Sequence, residues 1–197
     1  MFSKSPQATL PSDQRFHLGG VLFLVSLLVF FLCSILLYGI YAYARRDDPQ
    51  SLEKLPISFL VSTMCLLVIS VLVHFSTVTI RRERRTATSA LLGISAVAAT
   101  VFMAVQYVSM ANMLMGPGMS EGTRKGVVGM VVVLAVLHAL HVLGGVVALG
   151  LVAVRSLKGR YDHERHWPVD FTAQYWHFLD VVWLCMLAVF WLTTGGF

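Results

Sequence analysis

The sequence predicts an all-α fold: a polytopic membrane helix bundle with five transmembrane helices, the N-terminus cytoplasmic and the C-terminus outside. Three observations lead there. Hydrophobic residues make up 57% of the 197-residue chain and charged residues only 13%, well under the quarter or so usual in soluble domains. Five apolar runs each reach the roughly 20 residues that a spanning helix needs. The basic residues, finally, fall unequally on the two sides that five spans define.

The elements follow in order. Residues 1–19 read as a polar N-terminal tail without fixed order, carrying Pro6 and Pro11. Residues 20–197 read as a single domain with spans at about Gly20–Tyr43, Pro56–Ile80, Ser89–Met115, Gly126–Val154 and Ala173–Thr194. The first run is too long for a signal-peptide core and lacks a small-residue cleavage site, so it reads as a retained helix. Runs such as "VLFLVSLLVFFLCSILL" lack the alternation that a strand-built barrel requires. Lys4, Arg15, Arg81, Arg82, Arg84, Arg85, Arg155, Lys158, Arg160 and Arg165 lie on one side, ten of the fifteen Lys and Arg. The positive-inside rule makes that side cytoplasmic. The formal net charge of +5 is therefore a topological signal, and no nucleic-acid partner is expected. The "RRERR" loop reads as part of the same signal, with contact to anionic lipid as the alternative.

With no room for a separate soluble domain, chemistry must come from polar groups inside the spans: His74, Gln106, Asn112, His138, His141, His177 and Asp180. An ionisable side chain at the bilayer centre costs about 2.5–3.5 kcal/mol on insertion scales, so Asp180 requires an explanation. Trp176, Asp180 and Trp183 share a helix face with His177 beside them. Asp180 and His177 can pair, and both indoles can donate to the same neighbourhood. Such a cluster serves either helix packing or a proton relay or cofactor. His138 and His141 share a face one turn apart, and Gly144, Gly145 and Gly150 allow close helix approach. Bis-histidine haem ligation needs an imidazole on each side of one ring, which neighbours on one helix cannot supply. His74 reads as a structural hydrogen-bonder, and Gln106 and Asn112 as bridges between helices. His163 and His166 read as a solvated loop, and Cys33, Cys65 and Cys185 as small apolar packing residues. No nucleophile motif, phosphate loop or fixed-period repeat occurs.

"YWHFLDVVWL" (Tyr175–Leu184) and "HALHVLGG" (His138–Gly145) together resemble subunit III of the haem–copper oxidases. "RSLK" (Arg155–Lys158), Gln106 in "FMAVQY", and His166, Asp170 and Tyr175 fall on further positions of the family pattern. The resemblance is dense from about Ala90 onward, and five spans resemble the short form of the family. Three departures stand out. Leu27 occupies the place of a buried first-helix glutamate that the family links to lipid binding and proton uptake. Ser109 and Met110 replace an acid–aromatic pair, and Ala139 replaces a glycine.

The resemblance implies a non-catalytic subunit of a respiratory complex that reduces dioxygen to water and translocates protons. Haem and copper then belong to partner subunits and none to this chain. The implied partners are the catalytic subunit I, subunit II and membrane phospholipids, in a bacterial cytoplasmic membrane. Arg155 and Lys158 are candidates for lipid phosphates, and Asp170 stands at the family's helix-start acid. Asp180, with Trp176, His177 and Trp183, is expected to clamp the last helix, with His141 and Gln106 as its partners. Two other readings stay open: an accessory subunit of nitric oxide reductase, and a membrane cytochrome binding haem through His138, His141 or His177.

Overall fold

The computed structural model describes residues 11–46, 58–115, 127–158 and 167–194. Asn112's side chain, His163 and His166 lie outside the described residues. The elements are α1 (Pro11–Ala44), α2 (Ser58–Arg81), α3 (Arg85–Met115), α4 (Val127–Leu157) and α5 (Trp167–Thr194), and no strand occurs among the described residues. Each of the five is long and apolar enough to cross a membrane. At 1.5 Å per residue even the 24-residue α2 exceeds the roughly 30 Å hydrocarbon core. The chain is a multi-pass membrane protein.

Two helices begin well before their apolar runs. α1 begins at Pro11, inside the stretch read as an unordered tail, and α5 begins at Trp167, six residues before its apolar run. Hydropathy marks the lipid-crossing part of a helix, whereas the hydrogen-bonded ladder continues into the interfacial zone. Proline is tolerated at a first helical position because its missing N–H would have no partner there.

α2, α3, α4 and α5 form a closed ring in which each helix packs on the next, and α1 lies in the groove between α4 and α5. The turn from α2 to α3 is short and well defined. Arg84 N–H donates to Thr79 O and Glu83 N–H to Ile80 O, with Glu83 at φ 58°. This is the Schellman arrangement, with glutamate holding the left-handed position that glycine usually takes. Thr79 and Thr88 hydroxyls meet at 2.9 Å across the same turn. Further along, Ser89 and Ser156 hydroxyls meet at 2.8 Å and join α3 to α4.

α5 packs against α1, α2 and α4. Tyr38 and Thr193 hydroxyls meet at 2.6 Å, pinning α1 to one end of α5. Trp167 Nε1–H donates to His17 Nδ1 at 3.1 Å and pins the other end. α4 approaches α5 over Gly145, where an added Cβ would meet Tyr175 Cε1 at 3.1 Å and Leu179 and Trp176 at 3.4 Å. A Cβ added at Gly150 would meet nothing within 4 Å, so the expectation of close approach holds at Gly145 and fails at Gly150. The three cysteines are exposed on the outer surface of the bundle, which corrects their reading as packing residues. The apolar pattern could not distinguish the two, because lipid and core accept the same side chains.

Overpacking a close contact costs about 1–3 kcal/mol. Gly145→Leu is therefore expected to lower the thermal midpoint of the purified protein by several degrees. Gly150→Leu, facing open space, should leave it nearly unchanged in the same thermal scan.

Candidate functional site

The polar residues of α5 are answered chiefly from α2. Ser70 Oγ lies 2.6 Å from His177 Nδ1, and Trp183 Nε1–H donates to Thr63 Oγ1 at 2.9 Å. Thr63, Ser70 and Thr77 are buried at a spacing of two turns, so α2 presents one narrow polar stripe. Its period of seven is the signal in the sequence that would have identified these partners. Phe59 packs edge-on to Trp183 at 5.7 Å, and His138 stacks on the other side at 5.4 Å.

The expected pairing of His177 with Asp180 does not form. His177 turns to Ser70, and both oxygens of Asp180 are buried without a hydrogen-bond partner at 6% exposure. The Ser70 hydroxyl lies within reach of both the His177 imidazole and that carboxyl. A shared helix face brings two side chains to one side without making them converge; here α2 supplies the better partner. His141 and Gln106 are not Asp180's partners either. His141 Nδ1–H donates to Leu137 O at 2.7 Å, and its ring packs 5.0 Å from Phe31. Gln106 Oε1 is buried and unpartnered, and Trp176 Nε1, expected as a donor to this cluster, has no acceptor. A buried group left unpaired costs about 1–3 kcal/mol, so the direct clamp is absent in the form expected.

The histidines occupy three different surroundings. His138 is 3% exposed, between Trp183 and the edge of Phe31 at 5.8 Å. His141 lies among Phe30 and Phe31. His177 faces Ser70, with the exposed His74 ring 5.9 Å away. Aromatic rings flank His138, and both of its ring nitrogens are buried without a hydrogen-bond partner. Among the described residues no three His, Cys, Asp or Glu side chains gather as a metal-holding group.

At the basic end, Arg81 Nη2–H donates to Asp170 Oδ2 at 3.1 Å, joining the last turn of α2 to the first turn of α5. Asp170 also complements the positive end of the α5 dipole. Arg155 and Lys158 are exposed at the end of α4. Tyr175 O–H donates to His141 O at 2.9 Å, directly beside the Gly145 notch.

Residues 5–194, which include all five helices, match the sequence model of cytochrome c oxidase subunit III. The chain belongs to the cytochrome c oxidase subunit III family. It is 28% identical over 192 residues to cytochrome c oxidase subunit 3 of Chondrus crispus, covering 91% of this chain and 67% of that protein. The corresponding protein of Synechocystis sp. is 29% identical over 180 residues, covering 88% and 74%. That of Petromyzon marinus is 27% identical over 196 residues, covering 93% and 72%. Within the family frame, Leu27 is 8% exposed and packs in the apolar core with Phe31.

Trp183→Phe deletes the indole donor together with part of the buried ring. A cost of about 1–3 kcal/mol is expected, from the lost bond and the space left behind. Adding Thr63→Val should then cost little more, measured as a double-mutant cycle on unfolding.

Proposed function

We propose that this chain is the non-catalytic subunit III of a respiratory haem–copper oxidase complex, which reduces oxygen to water and translocates protons. The family match over residues 5–194 carries the reading, because it spans the whole helical body and not one motif. The catalytic subunit I holds the haem and copper, and this chain packs against it with subunit II nearby. The chain's contribution is mechanical: a closed four-helix ring with α1 braced on α5 gives the catalytic subunit a rigid neighbour. Most of α1 is exposed, which leaves a long apolar face for subunits or lipid. Arg155 and Lys158, exposed at the end of α4, suit lipid phosphates by charge. Support of proton uptake would have to act without the first-helix acid. The basic end lies in the cytoplasm by the positive-inside rule, and the membrane is the bacterial cytoplasmic membrane.

Leu27 favours a second reading, an accessory subunit of nitric oxide reductase, since such a partner need not serve proton uptake by a pumping oxidase. One preparation separates the two. A tagged chain drawn from membranes in mild detergent is expected to bring a haem–copper subunit I, a copper-binding subunit II and oxygen-reducing activity. Recovery with nitric-oxide-reducing activity instead would move the chain to the second reading. A Soret band in the chain freed of all partners would overturn both.

A further inference from the structure

We propose that the interior of the α2–α5 ring is a binding site for a small cluster of ordered water, held by Asp180, His138, Gln106 and Trp176. All four side chains are more than nine-tenths buried, at 6%, 3%, 5% and 1% exposure. Six of their polar atoms lack a partner: both Asp180 oxygens, both His138 nitrogens, Gln106 Oε1 and Trp176 Nε1. Buried polar groups are almost always satisfied by protein or by water.

These groups share one region of the bundle. Counting at 1.5 Å per residue from the Ser89–Ser156 contact, Gln106 and His138 fall within about 2 Å of the same depth. Trp183 stacks on His138, which puts Asp180 about 4.5 Å further toward the basic end and Trp176 about 10 Å further. The six atoms thus fall within about 10 Å of one another along the bundle axis, and none bonds another. Apolar side chains lie beyond this stretch at both ends. Phe59, Val131 and Phe190 lie beyond it on one side, and Val73, Leu92, Leu149 and Val169 on the other, all almost fully buried.

The chemistry selects the ligand. Gln106 Oε1 and the Asp180 oxygens accept, Trp176 Nε1–H donates, and His138 can offer one of each. A ligand that both donates and accepts, is small enough for a sealed helical interior and makes two to four bonds is water. Water would then do what the expected direct contacts do not, joining α5 to α3 and α4 through Asp180. The inference stands whichever enzyme complex the chain joins.

X-ray radiolysis of the intact complex, read by mass spectrometry, tests this directly, because water bound beside a side chain generates the radical that oxidises it. Trp176, His138 and Trp183 are expected to be oxidised several-fold more than the equally buried Phe59 and Phe190, after correction for intrinsic reactivity. Asp180→Leu should lower that oxidation several-fold and leave the exposed Tyr107 unaffected. If that variant does not assemble, the comparison within the unaltered complex decides. Oxidation of Trp176 and His138 no greater than that of Phe59 and Phe190 would overturn the proposal. So would unchanged oxidation in an assembled Asp180→Leu complex.

Discussion

Hydrocarbon offers no hydrogen-bond partner, so every polar side chain in a spanning helix must be met by another part of the protein. α5 carries the heaviest load of such groups, with Thr172, Tyr175, Trp176, His177, Asp180, Trp183 and Thr193 along one helix. That load requires it to be surrounded. Ser70 and Thr63 on α2, the His141 carbonyl on α4 and Tyr38 on α1 each meet one of these residues. The remaining helices are arranged by this demand: α2 and α4 flank α5, α3 closes the ring between them, and α1 fills the outer groove.

Close packing and polar pairing reinforce one another in this arrangement. Gly145 lets the Tyr175 ring approach α4, and that approach brings the phenol within reach of a backbone carbonyl. Thr63 can accept from Trp183 because Phe59 and His138 hold the indole from both sides. The outcome is a body whose polar groups face its own interior and whose apolar residues face outward.

Much of the fold was legible in the sequence because lipid imposes a length and a composition on each span. Five apolar runs gave five helices, and the misplaced starts of α1 and α5 lie where the helix leaves hydrocarbon and hydropathy no longer reports it. The polar residues of α5 were also visible as a group. Their partners were less so: a face shared by His177 and Asp180 says nothing about a serine one helix away. The Thr63–Ser70–Thr77 stripe was readable in principle but is easily passed over, since isolated hydroxyls in an apolar run bond their own helix at little cost, as Ser62 and Ser76 do. The Arg81–Asp170 pair escaped notice for another reason: nearness across helix ends depends on how α2 and α5 align, which no local pattern encodes.

The central claim is that α5 is held along α2 in the register set by Ser70 and His177. It is tested most directly by cross-linking a Ser70→Cys, His177→Cys chain in native membranes, with Cys33, Cys65 and Cys185 replaced by alanine. A short reagent with two thiol-reactive electrophilic ends should join the two positions within one chain in high yield, while Ser70→Cys paired with Cys at the outward-facing Val181 should not be joined. Failure of the first pair to cross-link, or equal yield from the second, would contradict the account.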